Sequence, residues 1–277
     1  GQPISFPDDY LETPPAPNSW TKARNYYFKA LTSSTNSVRE TNLAKTFQAV
    51  GQVLHPLEDM AVPAHVRNDF NSHMTFSGST SLDPSKWYNN PYEFYVKKNP
   101  HLVSAVTPVV PSLNQQHTAY WDTNNYTGQD PTQLSNLGLA EYTNINFLSD
   151  TSFKINNGTI SSDFPYPQQS SVTRNDDYPI EDPFHPGTTV NRPYFIKSAH
   201  GESGYLLSGV DYMTFVGEEI RGLQVQPAKV LPPLDDNVHN MYAYYLLPRA
   251  VGYSAGLLDY FFRGDVTLEP TDTTGEY

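Results

Sequence analysis

The sequence VGQVLHPLEDMAVPAHVRND, residues 50–69, closes the strongest helical pattern in the chain. Between residues 38 and 62, apolar residues recur at alternating steps of four and three; they are Leu43, Phe47, Val50, Leu54, Leu57 and Ala61. This spacing predicts one long amphipathic helix with these side chains on its buried face. Pro56 predicts a kink or a local loss of hydrogen bonding, and Pro63 predicts the end of the helix.

A polar row borders this apolar stripe and consists of Gln48, Gln52, His55 and Asp59. His55 and Asp59 are four residues apart, so they share one face of the helix. An imidazole nitrogen and a carboxylate oxygen together suit zinc, and His65 follows Pro63, where the chain can turn back toward the same cleft. The residues alone leave two interpretations open, a metal site or a surface hydrogen bond between His55 and Asp59.

Composition predicts a folded protein with many loops. Of the 277 residues, 38% are hydrophobic, which is enough for a packed core, and 24 are proline, which predicts many loops. The length fits one domain over residues 1–277. Residues 1–18 predict an extended lead-in, and the proline-rich residues 151–195 predict a long irregular segment. No run of about 18 apolar residues occurs, so no transmembrane helix is expected.

The net charge of −12 excludes some partners. An acidic surface repels polyphosphates, so broad nucleic-acid binding through basic patches is not expected. An active site could still act on a phosphate ester if bound metal supplied positive charge locally. The chain has no cysteine, which excludes disulfides and thiolate metal sites.

Further helices are predicted along the chain, and the predicted fold class is therefore mostly α. Ser19 is a good N-cap for a helix over residues 20–33, and Pro91 suits the first turn of a helix over residues 91–98. Another helix is expected over residues 134–150, and a last one should begin near Asp235 or Asp236 and end just before Gly264. The stretch over residues 201–220 allows either a strand followed by a helix or a single helix.

Two other groups of residues could carry chemistry. GYSAG, residues 252–256, matches the G-x-S-x-G nucleophile motif, which needs a preceding strand and a later histidine. The apolar residues on both sides of this stretch keep helical spacing, and no histidine follows His239. Ser254 is therefore predicted to be a small residue where helices pack closely. Asp69 and His73 are further candidate metal ligands if that stretch is helical; the alternative is polar loop residues.

The stretch over residues 50–69 resembles the zinc-dependent phospholipase C and S1/P1 nuclease family. In that family a helix carries His-x-x-x-Asp, followed by a proline and then by a histidine six residues after the aspartate. Here these are His55, Asp59, Pro63 and His65. A following His-x-x-x-Glu is matched by Glu93, with Asn89 in place of the histidine. The resemblance covers residues 37–98 and the last helix, and it implies a mostly α phospholipase C/P1 nuclease-like domain of a bacterial branch.

The resemblance also implies a metal site. His55, Asp59, His65 and Glu93 would face one cleft and bind up to three zinc ions. Asp59 would be the catalytic residue and bridge two ions, His55 would bind one of that pair, and His65 and Glu93 would hold the third. Metal-bound hydroxide would then attack phosphorus.

The function that the resemblance implies is a secreted or periplasmic phospholipase C-like hydrolase that acts on a phospholipid or another phosphodiester. The alternatives are a non-catalytic secreted or surface domain with a partial or structural metal site, and an S1/P1-type nuclease. The family's upstream ligands have no counterpart here, because no histidine precedes His55. Fewer than three zinc ions are therefore expected, and either an upstream segment supplies the missing ligands or this branch has lost the full cluster.

Overall fold

The computed structural model describes residues 19–70, 90–112, 116–123, 137–156, 159–182, 185–210 and 233–263. The predicted lead-in over residues 1–18, His73 and Asn89 lie outside these ranges. Helices contain 52% of the described residues and strands contain 17%, in two antiparallel sheets. The fold is thus mixed α/β, and the prediction of a mostly α fold is wrong.

The helices are α1 (Trp20–Thr32), α2 (Asn36–Asp59), α3 (Pro63–Val66), α4 (Pro91–Lys98), α5 (His101–Ser104), α6 (Leu139–Asn146) and α7 (Asp236–Phe262), with 3-10 turns at His117–Tyr120 and Gln169–Ser171. The predicted caps of α1 and α7 are confirmed. Ser19 accepts a hydrogen bond from the Lys22 amide, and Asp235 accepts one from the Val238 amide. Helix α4 has the predicted bounds, whereas α6 is shorter than the predicted helix over residues 134–150.

Three strands and most of a fourth lie in residues 151–195, which were predicted to be irregular, and the fifth strand follows them. Strands β1 (Phe153–Asn156) and β2 (Thr159–Ser162) form a hairpin. Strands β3 (Val172–Glu181), β4 (Thr189–Lys197) and β5 (Tyr205–Gly209) form an antiparallel sheet in the order β3-β4-β5. The prediction of a long irregular segment over residues 151–195 is therefore wrong.

A bulge explains how proline fits into the central strand. Asn175 pairs with Tyr194 and Tyr178 pairs with Arg192, so Pro193 faces the shifted part of β3. At a bulge the regular hydrogen bonding between β3 and β4 is interrupted, so the missing amide hydrogen of Pro193 costs no hydrogen bond between the strands. Most of β3 is exposed at the edge of the sheet, where charged residues and a proline are tolerated.

Helix α2 is rotated relative to the predicted apolar stripe. Its buried residues are Asn42, Thr46, Ala49, Val50, Val53 and Leu57, whereas Phe47 is 59% exposed. The side chains of Asn42 and Thr46 donate to main-chain carbonyls one turn earlier, at 2.8 Å each. This local pairing lets polar residues be buried on a helix face, so the stripe that was read from apolar residues alone is partly wrong.

The end of α2 places the candidate site. The helix continues through Pro56 to Asp59. Its exit is a tight turn in which the amides of Met60, Ala61 and Val62 donate to carbonyls three residues earlier. Pro63 then occupies the first turn of α3, so it begins a helix as well as limiting the previous one.

Helix α7 is central and packs against α2, α4, α5, α6 and β5. A side chain at Gly252 would collide with the main chain of Val109, and one at Gly256 would lie 2.9 Å from the Tyr120 ring. Ser254, between them, is buried and donates to Glu58 of α2 at 3.2 Å. Ser254 is thus a packing residue inside a helix, as predicted. No helix in the described part of the chain is long and apolar enough to cross a membrane.

Candidate functional site

The four predicted ligands lie together in one cluster, which we call the His65 cluster (His55, Asp59, His65 and Glu93). The His65 Nδ1 atom lies 3.6 Å from Asp59 Oδ1, and its Nε2 atom lies 3.6 Å from Glu93 Oε1. The His55 Nε2 atom lies 3.8 Å from Asp59 Oδ2. The four side chains therefore lie close together, as expected, whereas the shared cleft and metal binding stay predictions.

The cluster forms where one helix ends and two others begin. Asp59 is the last residue of α2, and His65 lies in the single turn of α3. Asn90 caps α4 by accepting hydrogen bonds from the amides of Tyr92 (2.9 Å) and Glu93 (3.3 Å). Glu93 therefore lies in the first turn of α4, where the helix dipole favours a carboxylate.

The distances in the cluster are longer than those of direct hydrogen bonds, which are about 2.7–3.2 Å. At bond lengths of about 2.1 Å, two ligands of a tetrahedral zinc ion lie about 3.4 Å apart. The pair of His185 and Asp182, in contrast, lies at the distance of a direct hydrogen bond, with His185 Nδ1 2.8 Å from Asp182 Oδ2. The spacing in the His65 cluster thus resembles that of two ligands of one ion.

Each residue at the centre of the cluster faces two partners. The two nitrogens of His65 face different carboxylates, and the two oxygens of Asp59 face different histidines. Among the described residues, no group of three His, Asp or Glu side chains is arranged to hold one ion. From the described residues alone, an ion between a histidine and a carboxylate would therefore have two protein ligands, fewer than the three of a typical catalytic zinc site.

Solvent exposure separates an inner from an outer part of the cluster. The side chain of His65 is 19% exposed and that of Asp59 is 34% exposed, whereas that of His55 is 77% exposed. Glu93 is intermediate, at 40%. Asp59, His65 and Glu93 are thus the less exposed part of the cluster, and His55 is its most exposed member.

A buried arginine near the cluster was missed by the sequence reasoning. Arg67, two residues after His65, is 3% exposed. Its guanidinium donates to three main-chain carbonyls and two hydroxyls: those of Asn144 (2.7 Å), Phe147 (2.7 Å), Tyr166 (2.9 Å), Ser152 (3.4 Å) and Ser162 (3.0 Å). These bonds fix the end of α3 against the segment that follows α6.

Asp69 has a related role. It is buried and accepts hydrogen bonds from the amide of Thr151, at 2.9 Å, and from the Thr151 hydroxyl. It anchors this part of the chain as a buried polar residue outside the helices, close to the predicted polar loop residue but not solvated. The signal in the sequence was the polar run over residues 67–69, which begins two residues after His65.

No family model, curated protein or solved structure matches this chain. The resemblance to the phospholipase C and P1 nuclease family therefore stays a prediction that is based on residues 37–98 and the last helix.

Proposed function

We propose that the protein binds zinc through the His65 cluster and that this metal site serves the hydrolysis of a phosphodiester. The observation that supports this proposal is the position of His65 between Asp59 and Glu93, at 3.6 Å from each. Both distances are longer than a direct hydrogen bond and close to the separation of two zinc ligands.

The side chains fit zinc chemically. Glu93 Oε1 and the Nε2 atom of His65, which lie 3.6 Å apart, would hold one ion. His55 and the outer oxygen of Asp59 would contribute to a second position. Zinc supplies a bound water with a pKa of about 7 and positive charge for the phosphoryl oxygens.

A phospholipid headgroup is the substrate class that we favour. The partly exposed Glu93 and the exposed His55 leave the cluster accessible from solvent. The net charge of −12 disfavours a long polyanion such as nucleic acid. Action on an external lipid goes with the secreted or periplasmic location that the resemblance implies.

The alternative is a non-catalytic domain with a partial metal site. It is favoured by one observation, the two protein ligands at each candidate position within the described residues. The alternative predicts zinc binding without turnover.

Hydrolysis of a chromogenic phosphocholine diester distinguishes the two functions. The assay is run with zinc and with a chelator, on this chain and on any longer form that the gene encodes. We expect chelator-sensitive hydrolysis by the longest form, abolished in Asp59→Asn and retained in Glu58→Gln, which changes the neighbouring acid that contacts Ser254. Zinc binding with no hydrolysis by any form would favour the non-catalytic domain, and hydrolysis that persists in Asp59→Asn would overturn the assignment of this residue.

A further inference from the structure

A small cavity is lined by residues of the same two helices that carry His65 and Glu93. Ala64 and Tyr92, which line it, immediately precede His65 and Glu93 in the sequence. Ser149 and His239 line its other sides. The cavity therefore lies where α3, α4, α7 and the segment after α6 meet.

Two hydroxyl groups around this cavity are buried without a hydrogen-bond partner among the described residues: Tyr92 Oη and Ser149 Oγ. Tyr92 is 6% exposed and Ser149 is 3% exposed. Burial of an unpaired hydroxyl costs free energy, and buried polar groups in proteins are nearly always paired with protein or with water.

His239 adds a third polar group. It is 4% exposed, and in the described part of the chain its imidazole makes ring contacts, with centroids 6.2 Å from Tyr92 and 5.9 Å from Tyr95. Burial lowers its pKa to about 4, so the ring is neutral near pH 7. A neutral imidazole has one donor and one acceptor nitrogen.

The size of the cavity decides what can bind there. The space open to the centre of a water-sized sphere is about 10 Å³, close to the minimum that one water molecule needs. Tyr92, Ser149 and His239 supply the two to four polar partners that a buried water has. Asp150 also borders the cavity and already has a partner of its own.

We propose that one water molecule binds in this cavity and is hydrogen-bonded to Tyr92 Oη, Ser149 Oγ and the His239 imidazole. The water joins α4, the segment after α6 and α7. This water gives the buried hydroxyls of Tyr92 and Ser149 a hydrogen-bond partner. The proposal does not depend on metal binding or on hydrolysis.

Oxygen-17 relaxation dispersion of the metal-free protein counts water molecules with long residence times. The wild type is compared with the Tyr92→Phe/Ser149→Ala double variant. The control is Tyr95→Phe, which removes a hydroxyl from the same helix that contacts exposed Asn240 at 3.2 Å. We expect the double variant to lose one long-lived water and the control to lose none. Equal counts in the wild type and a folded double variant would overturn the proposal.

A high-resolution crystal structure of the wild type gives a second test that needs no variant. We expect density for one water within about 3.1 Å of Tyr92 Oη and Ser149 Oγ. A dry cavity, a metal ion at this position, or a direct hydrogen bond between the two hydroxyls would contradict the proposal.

Discussion

The Nε atom of Arg67 lies 2.7 Å from the carbonyl oxygen of Phe147, and this bond ties the turn that carries His65 to the segment that follows α6. The same guanidinium donates four further hydrogen bonds. A single buried side chain therefore pairs main-chain groups that are distant in the sequence. The geometry of the candidate site depends on it.

Replacement of Arg67 by methionine should destabilise the protein strongly. The variant leaves three buried carbonyls and two hydroxyls without this donor, and we expect a loss of about 3 kcal/mol or more in the free energy of unfolding. Urea unfolding measures the loss. The matched control is Arg174→Met, which breaks a surface ion pair with Asp176 and should cost less than about 1 kcal/mol. Similar losses in the two variants would contradict the anchoring role of Arg67.

Alanine at two helical glycines should have opposite effects. At Gly252 the added methyl group collides with the Val109 main chain, so Gly252→Ala should destabilise by at least about 2 kcal/mol. At Gly51 no atom lies within 4 Å of the added group, so Gly51→Ala should stabilise by up to about 1 kcal/mol through helix propensity. Thermal unfolding of both variants measures the signs, and a tolerated Gly252→Ala would refute the close crossing of residue 109 over α7.

Stability should fall in mild acid because of His239. Burial lowers the pKa of this imidazole from 6.5 to about 4 in the folded protein. Between these values the unfolded chain binds a proton that the folded protein does not bind, so the free energy of unfolding decreases as the pH falls from 6.5 toward 4. The full shift corresponds to about 3 kcal/mol.

Urea unfolding of the wild type and of His239→Gln across this pH range measures that contribution. The variant should lose less stability between pH 6.5 and 4 than the wild type. The control is His185→Gln, whose side chain is 73% exposed in the native protein, and it should follow the wild type. A His239→Gln variant with the pH dependence of the wild type would show that this histidine does not carry the effect.

Local signals in the sequence predicted the helix ends and the candidate site. Ser19 and Asp235 cap α1 and α7 through their own side chains, and such caps depend only on neighbouring residues. The spacing of His55, Asp59 and His65 fixes which way each side chain points from α2 and α3. The proximity of these three residues could therefore be predicted locally, whereas Glu93, on α4, was predicted only through the family resemblance.

Tertiary pairing explains what could not be predicted. The partners of Arg67 lie in three separate segments, and none of them is visible from its neighbours in the sequence. Pro193 is compatible with β4 because a bulge in β3 faces it. Asn42 and Thr46 are buried on α2, where each bonds to the preceding turn, so the apolar pattern alone indicated only part of the buried face.

Zinc titration of the purified chain by calorimetry tests the central claim most directly. The account predicts that no more than one ion binds tightly. Binding should weaken by at least about tenfold in His65→Ala and in Glu93→Gln and stay unchanged in His185→Ala, which alters a histidine–aspartate pair elsewhere. Absence of zinc binding, binding that is unchanged in His65→Ala, or three stoichiometric zinc ions would contradict the account of the His65 cluster.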